Sequence, residues 1–276
     1  MPEQWREWFH TWFLSMVAQW QGRNQRFGNS IVPLLISRQG DHKSTFCRQL
    51  VPPELRTWGY SDNLSLTDVR AVHLAMAQML LINLDEFNSI PARIQEGFLK
   101  NIVQLPSVKV KRPYACHIEE APRLASFIAT TNMSDVLTDP SGSRRFIGIR
   151  VTGLIDVSHT PNYAQLYAQA MAELREGCRY WFDEDETRVI MQHNQRFRCR
   201  TDAEGFFYEF FELAKEGDPD AQWLTTASIL LYIKSHARGS FQLPPANHFG
   251  RVLTAIPDIV HKTTSRGEMY LLKKVD

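Results

Sequence analysis

The sequence predicts an α/β domain with a parallel sheet flanked by helices, followed by a smaller domain of helices and a terminal hairpin. Short apolar runs bounded by polar or charged residues are typical of buried strands. These runs span residues 31–36, 80–84 and 127–131. Segments with helical spacing, such as residues 65–79, separate them, so neighbouring strands are expected to run parallel. A change to aromatic helices then places the two domains at residues 1–200 and 201–276.

The composition is that of an ordinary globular, enzyme-like protein. Of the 276 residues, 43% are hydrophobic and 22% are charged, and the formal net charge is +1. A net charge this small neither favours nor excludes nucleic-acid binding, so any basic surface has to be local. The four cysteines lack the paired spacing of a zinc site or a disulfide scaffold, so we expect a reducing cytoplasm. No signal peptide is visible, and no apolar run approaches the roughly 18 residues that a membrane span needs.

Aromatic residues recur at helical spacing near the N-terminus. The opposite, polar face holds a single arginine, Arg6, whereas a helix on a membrane surface would carry lysine or arginine along its length. We therefore expect this helix to pack on the core of the first domain. Its apolar face comprises Trp5, Trp8, Phe9, Trp12, Phe13, Met16, Val17 and Trp20.

A short polar loop precedes a helix predicted at residues 45–50. In a phosphate-binding loop, backbone amides and a helix N-terminus face the phosphates, and a lysine reaches the β and γ groups. Lys43 takes the lysine position, while Ser37 and His42 stand where glycine is usual. An ordinary polar turn before a helix is the alternative. The candidate nucleotide-binding residues are Gly40, Asp41, His42, Lys43, Ser44 and Thr45.

Further candidate residues follow the second and third apolar strands. Asp85 and Glu86 end the second strand, and such a pair can hold Mg²⁺, usually through water, and orient an attacking water. Asn132 ends the third strand, where an amide can sense a γ-phosphate. Arg144 and Arg145 come next, and an arginine finger neutralises transition-state charge. Each motif alone has an alternative without function, such as a strand end followed by a turn or a solvated pair of arginines. The occurrence of all the motifs in this order along the chain argues against a chance match.

In this order the motifs resemble those of the virulence-associated E (VapE/VirE-like) P-loop ATPases, a family close to superfamily three and primase-associated helicases. The resemblance covers roughly residues 5–200. It implies an AAA+-like P-loop core that takes ATP and Mg²⁺. The roles it assigns are phosphate and Mg²⁺ binding for Lys43 and Ser44, metal binding for Asp85, water activation for Glu86, sensing for Asn132, and the arginine finger for Arg144 or Arg145.

The same resemblance implies partners. Lys109, Lys111 and Arg112 lie between the acid pair and the third strand, where superfamily three helicases carry a basic hairpin that faces the central channel of a ring. We therefore expect single-stranded DNA as a partner, a homo-oligomeric ring, and a separate primase-like polypeptide. A solvated strand end is the alternative for the three basic residues.

Helices followed by a terminal pair of β-prone runs in residues 201–276 are typical of a winged helix. A helix at residues 247–254 would then read DNA, and Arg251, Lys262 and Arg266 would contact phosphates. A protein-binding winged helix with ordinary surface lysines is the alternative for this domain.

The function expected from the sequence is ATP binding and hydrolysis coupled to DNA, as in replication of a mobile element. The alternative is a DNA-binding or protein-interaction module that keeps the ATPase fold without hydrolysing ATP. That alternative stays open because Ser37 and His42 replace the two glycines of the loop. We expect no membrane association in either case.

Overall fold

The structure, a computed structural model, describes residues 2–23, 28–111, 116–139, 143–237, 239, 241–265 and 267–275. The chain divides into two compact units, a larger one of residues 1–136 and 142–197 and a smaller one of residues 137–141 and 198–276. Residues 137–141 thus group with the C-terminal part of the chain, which nothing in the sequence indicates. Leu137 forms a parallel bridge with Arg198, and its carbonyl accepts a hydrogen bond from the Cys199 amide at 2.9 Å.

A five-stranded parallel sheet in the order β2-β3-β6-β1-β7 forms the centre of the larger unit. The strands of this unit are β1 (Val32–Ile36), β2 (Tyr60–Ser61), β3 (Leu81–Leu84), β4 (Ser107–Val110), β5 (Glu119–Pro122), β6 (Ser126–Thr131) and β7 (Phe146–Arg150). Strands β4 and β5 form a separate antiparallel hairpin. Every residue of β1, β3 and β6 is buried, as expected for parallel strands covered on both faces, and most of these residues are apolar. The predicted α/β class is confirmed.

Helices flank this sheet, and their ends differ in places from those predicted. The helix expected at residues 65–79 begins only at Val69, because Asp68 caps it: its carboxylate accepts from the amides of Arg70 and Ala71. The elements are α1 (Pro2–Trp20), α2 (Lys43–Gln49), α3 (Pro53–Gly59), α4 (Val69–Gln78), a 3-10 turn (Phe87–Ser89), a π-helical segment (Ile94–Leu99) running into α5 (Lys100–Ile102), α6 (Tyr163–Arg175), α7 (Glu184–Asn194) and a second 3-10 turn (Gln195–Phe197).

Helix α1 is part of the core of the larger unit. Its residues Trp8, Trp12 and Phe13 are buried, and they belong to one apolar cluster with residues of β1, α2 and α6. The burial of these large side chains removes extensive apolar surface from water. In the described part of the chain, no helix has both the length and the apolar character required to cross a membrane.

A buried cation, Arg123, joins α1 to the strand β6. Its guanidinium donates to the carbonyls of Val103 at 2.6 Å and Asn29 at 2.8 Å, and to the side-chain oxygen of Gln19 at 2.7 Å. Burial lowers its pKa to about 10, so the group stays charged at neutral pH. A charge in the interior is tolerated only when hydrogen bonds replace its water shell, and these acceptors supply them.

In its described residues, the smaller unit has three helices and an antiparallel sheet. Strand β11 (Gly267–Lys274) pairs with β10 (His261–Thr264), β8 (Phe211–Leu213) and β9 (Gln222–Thr225), all antiparallel. The core of the smaller unit includes the buried rings of Phe207, Phe249 and Tyr270. The expected terminal hairpin is formed by β10 and β11, and Arg266 lies outside the described residues. The elements are α8 (Asp202–Phe210), β8 (Phe211–Leu213), β9 (Gln222–Thr225), α9 (Thr226–His236), α10 (Ala246–Thr254), β10 (His261–Thr264) and β11 (Gly267–Lys274).

The contact between Phe197 and the backbone of Gly148 in β7 makes a testable prediction. A Cβ at residue 148 would lie 2.2 Å from Cδ2 of the buried Phe197 ring. Gly148→Ala should therefore lower the free energy of unfolding by about 1–3 kcal/mol, the usual cost of overpacking a core. Gly153→Ala is the matched control, because no atom lies within 4 Å of a Cβ there. Thermal unfolding of the two variants checks this; equal midpoints would show that Phe197 moves aside freely.

Candidate functional site

The carboxyl ends of β1, β6 and β3 lie side by side at one edge of the parallel sheet. Ligands of open α/β sheets bind outside the carboxyl ends of the strands, so this edge is where a site is expected. A cleft of about 370 Å³ lies there, which we call the polar cleft. It is lined by residues 39–45, 85, 86, 88 and 130–132.

The loop between β1 and α2 forms one wall of the polar cleft. Gly40 has a φ of 91° and His42 a φ of 62°, both left-handed. Glycine is the usual residue in that region, so the structure explains why the common motif has glycine where this chain has His42. The imidazole Nδ1 lies 3.2 Å from the carbonyl oxygen of Ile155, and the Ile155 amide donates to the carbonyl of Asp41 at 3.3 Å. These contacts hold the unusual backbone in place.

Lys43 is buried at the first position of α2, and its ammonium group lies over the start of the loop. It donates to the Arg38 carbonyl at 2.8 Å, and to the carbonyl and hydroxyl oxygens of Ser37 at 3.1 and 3.2 Å. All three acceptors are neutral, so the charge of Lys43 is solvated here but not neutralised. An anion in the cleft would bind it more strongly than these neutral oxygens, because the attraction between opposite charges is added to the hydrogen bond.

A hydroxyl and a carboxylate also meet in the polar cleft. The Ser44 hydroxyl donates to Oδ1 of Asp85 at 3.1 Å, and the Thr130 hydroxyl donates to the same oxygen. Thr130 follows Ala129, which pairs with Leu84, so the register of β3 and β6 places Thr130 beside Asp85. Sequence reasoning identified Ser44 and Asp85 and missed Thr130, whose only signal was a polar residue at a strand end.

The donor set at Ser44 and Asp85 fits Mg²⁺. This ion prefers oxygen ligands and is usually held by one or two carboxylates together with the phosphates of a substrate, not by a complete protein cage. Among the described residues, no group of three or more His, Cys, Asp or Glu side chains could hold a metal without such a substrate. Ser44 and Asp85 are therefore residues that could hold such an ion together with a bound substrate.

Glu86 and Asn132 complete the polar cleft. Both are exposed and line it, Glu86 just after β3 and Asn132 just after β6. Glu86 has a φ of 49°, a left-handed backbone that costs a non-glycine residue free energy and is found preferentially at functional sites. Nearby, the Thr131 hydroxyl donates to the side-chain oxygen of Asn88 at 2.8 Å. Residues distant in sequence thus face one cavity.

The two arginines lie elsewhere. Arg144 and Arg145 line a different cavity, of about 270 Å³, together with Asn29 and Trp181. They precede β7, and the Arg145 carbonyl accepts from the amide of Val32 at the start of β1. Since β7 runs parallel to β1, this is the amino edge of the sheet, opposite the polar cleft. Burial, and then the neighbouring Arg144, lower the pKa of Arg145 to about 10.

The basic segment after β3 belongs to the β4–β5 hairpin. Lys109 is exposed on β4 and pairs in register with Glu120 on β5, which reduces the local positive charge. Lys111 is exposed just beyond β4, whereas Arg112 lies outside the described residues. The predicted hairpin is present, with carboxylates on its second strand.

Basic residues of the smaller unit already have partners. Lys262 on β10 places its ammonium group 3.8 Å from the centre of the Trp223 ring, a cation–π contact that the sequence did not indicate. Lys273 lies 3.4 Å from Asp218, and His261 lies 3.1 Å from Glu268. Arg251 is exposed on α10, and Arg266 lies outside the described residues.

The left-handed backbone of His42 leads to a stability prediction. His42→Gly and His42→Ala both remove the imidazole contact with Ile155, so their difference isolates the backbone conformation. A left-handed conformation costs a non-glycine residue about 1–2 kcal/mol, and the greater freedom of glycine in the unfolded chain offsets part of this. The glycine variant should therefore be more stable than the alanine variant by roughly 1 kcal/mol in urea unfolding. A more stable alanine variant would mean that the loop changes conformation when the imidazole is removed.

Residues 2–199 match the model of the virulence-associated protein E-like domain family. An apo structure of the NrS-1 C-terminal region (305–718) is similar over 97% of this chain and 71% of that chain, with 13% identity and a TM-score of 0.43. An A-form apo structure of the same region covers 100% and 76%, with 12% identity and a TM-score of 0.42. These structural likenesses are too loose to support an argument. No curated protein matches the chain.

Proposed function

The chain belongs to the virulence-associated protein E-like domain family, and from that premise we propose that it binds ATP with Mg²⁺ and hydrolyses ATP in work on DNA. The observation that carries the proposal is the convergence of Lys43, the Ser44–Asp85 pair and Asn132 on one cleft. This is a set of groups that recognise a nucleoside triphosphate, and they come from three separate segments of the chain.

Phosphate binding would rest on Lys43 and the loop. The Lys43 ammonium would exchange its neutral acceptors at Ser37 and Arg38 for phosphate oxygens. Helix α2 has only seven residues, so we assign the main role to the lysine charge and the loop amides and little to the helix dipole. Gly40, Asp41, His42 and Thr45 line the same wall.

The metal and the attacking water would lie in the same cleft, beside Asp85 and Glu86. Ser44 and Asp85 would hold Mg²⁺, with the Thr130 hydroxyl fixing the orientation of the Asp85 carboxylate. When bound, Mg²⁺ neutralises charge on the β and γ oxygens. Glu86 would orient the attacking water, and Asn132 would donate its amide to the γ-phosphate.

We also propose that the protein works as a homo-oligomeric ring. Arg144 and Arg145 lie at the sheet edge opposite the polar cleft, which supports a role at the nucleotide of another copy. Arg144 or Arg145 would face the nucleotide of a neighbouring copy, where an arginine finger typically contributes a large rate enhancement. A separate primase-like polypeptide is a further proposed partner, and the cytoplasm is the proposed compartment.

Binding and hydrolysis can be tested separately. Lys43→Ala should abolish ATP binding in calorimetry, because it removes the cation placed to meet the phosphates. Glu86→Gln should keep ATP affinity within about threefold while phosphate release falls by about 100-fold or more, in line with loss of a positioned acid–base group. Arg48→Ala, which removes an exposed charge further along α2, is the matched control and should change neither property. Equal ATP affinity for the wild type and Lys43→Ala would contradict the site.

The second candidate function is nucleotide binding without turnover. It is favoured by the left-handed His42 and by Ser37 at the two positions where glycine is usual, since bulk there limits how closely the backbone approaches phosphate. ATP binding with no phosphate release, measured with and without single-stranded DNA, would support this function over hydrolysis.

For DNA, we propose two surfaces, one in each unit. The first is the β4–β5 hairpin with Lys109, Lys111 and Arg112, which would contact single-stranded DNA. The second is the smaller unit, which we propose to be winged-helix-like, because α8, β8, α9 and α10 precede the β10–β11 hairpin. There Arg251, Lys262 and Arg266 would contact duplex phosphates.

Salt dependence distinguishes these surfaces. Lys111→Ala/Arg112→Ala should weaken single-stranded DNA binding and flatten its logarithmic salt slope by about 0.7 for each phosphate that is no longer neutralised. Lys262→Ala/Arg266→Ala should mainly weaken duplex binding. Arg175→Ala/Arg188→Ala, a pair from α6 and α7, is the control of equal charge. Fluorescence anisotropy at two salt concentrations measures these effects. No affinity for either DNA form at low salt would remove the helicase proposal and leave the fold unaffected.

A further inference from the structure

The cavity at the amino edge of the parallel sheet lies away from the polar cleft, and we call it the arginine cavity. Its volume of about 270 Å³ holds a phosphate group together with several water molecules, each of which takes about 30 Å³. Separate segments of the larger unit form its walls. They contribute Ser15 of α1, Ser30 before β1, Arg144 and Arg145 before β7, and Trp181 before α7.

Two positive charges meet in the arginine cavity without a counter-ion. Among the described residues, the lining contains no carboxylate, and neither Arg144 nor Arg145 forms an ion pair. Burial lowers the pKa of Arg145 to about 10, and the neighbouring charge of Arg144 lowers it further in the same direction. Arginine stays charged at neutral pH, so the two groups repel each other. An anion in the cavity would offset this repulsion with two attractions.

The acidic residues closest in sequence to the cavity lining are bound to other arginines. Asp183 and Glu186, at the start of α7, accept hydrogen bonds from Arg179 at 2.7 and 2.6 Å. Asp185 accepts from Arg188 at 2.8 Å. None of the carboxylates of α7, a helix that the structure describes completely, lies in the lining of the cavity. The charge of the arginine cavity is therefore left for a ligand to balance.

Hydroxyl groups from two segments add hydrogen-bond donors to the cavity. Ser15 is only 4% exposed and lies in the lining, and Ser30 lies in the lining on the approach to β1. Apolar surface from Ile31 and Phe182 borders these polar groups. Because apolar walls exclude water, the attraction between the arginines and an anion is stronger here than on an open surface.

The walls of the arginine cavity are fixed by hydrogen bonds to the sheet. The side chain of Asn29, which also lines the cavity, donates to the Ser126 hydroxyl at 2.9 Å. The carbonyl of Arg145 accepts from the amide of Val32 at 2.8 Å. A site whose walls are held in advance loses little conformational freedom on binding, so more of the interaction energy appears as affinity.

Together these features match a doubly charged, tetrahedral oxyanion. We propose that the arginine cavity binds a phosphate dianion within a single chain, separately from the nucleotide at Lys43. A carboxylate would bring one charge and two oxygens, whereas phosphate brings two charges and further oxygens for the guanidinium and hydroxyl donors.

This inference goes beyond the proposed function, because the site needs neither a nucleotide nor a second copy. A phosphate bound in the arginine cavity would occupy Arg144 and Arg145, the residues proposed to face the nucleotide of a neighbouring copy. It would therefore compete with that role and slow hydrolysis in the assembled protein.

Calorimetry on the Lys43→Ala chain tests this site by itself, because that variant lacks the cation of the polar cleft. Inorganic phosphate is titrated at two protein concentrations, and nitrate, a planar anion of single charge, is titrated at the same ionic strength. Phosphate should bind about tenfold or more tightly than nitrate, with the same affinity at both protein concentrations.

Arginine variants made in the Lys43→Ala chain locate the bound anion. Arg144→Gln and Arg145→Gln should each weaken phosphate binding by about tenfold or more, since each removes a charged donor. Arg175→Gln, which removes an exposed arginine at the end of α6, is the matched control and should change the affinity by less than about twofold. Arg144 is exposed, so Arg144→Gln decides the question even where Arg145→Gln does not fold.

Four results would overturn the proposal: no phosphate binding, equal affinity for phosphate and nitrate, unchanged phosphate affinity in Arg144→Gln, or an affinity that rises with protein concentration. Thymidine 5′-monophosphate distinguishes the sources of the phosphate. Tighter binding than that of inorganic phosphate indicates the phosphate of a nucleotide or strand end, and weaker binding indicates free phosphate. Failure of the wild type to bind ATP would overturn the proposed function alone, because the phosphate titration does not depend on Lys43.

Discussion

The position of β6 between β1 and β3 is the constraint on which the polar cleft depends. Lys43, Asp85 and Asn132 follow these three strands, and only parallel, adjacent strands bring their carboxyl ends to one edge. The register adds detail, because it sets Thr130 beside Asp85 and so fixes the carboxylate that would face a metal. A chain with the same motifs and another strand order would have no such cleft.

The buried Arg123 network anchors that arrangement from the other edge of the sheet. Gln19 donates to the Ala125 carbonyl at 2.6 Å, and the Asn29 side chain donates to the Ser126 hydroxyl at 2.9 Å, so α1 and the approach to β1 both bond to the start of β6. Because Arg123 donates to Gln19 and Asn29 as well, the polar groups in this region are partners of one another. Such a network favours one packing of α1 over its alternatives.

The secondary structure elements and their order along the chain were predictable from the sequence, but the arrangement of these elements in space was not. The α/β class and the family resemblance are confirmed. Both were predictable because strands, loops and the residues that bound them are encoded by short stretches of sequence. The start of α4 was missed, because Asp68, which lies inside the segment predicted as a helix, is the residue that caps it. The position of Arg144 and Arg145 at the amino edge of the sheet could not be predicted, because it depends on the direction in which β7 runs. The roles of Lys43, Asp85 and the other site residues stay predictions.

The grouping of residues 137–141 with the smaller unit has a consequence for how the protein can be divided. Leu137 is only 1% exposed, and its backbone bonds to Cys199 while it bridges to Arg198. A protein truncated after residue 197 would therefore keep Leu137 without its partners. The apolar side chain of Leu137 would be exposed, and its carbonyl would lack the amide of Cys199 as a hydrogen-bond donor. Each unit is built from two separate stretches of the chain, so the two units are not modules that recombination could exchange at a single junction.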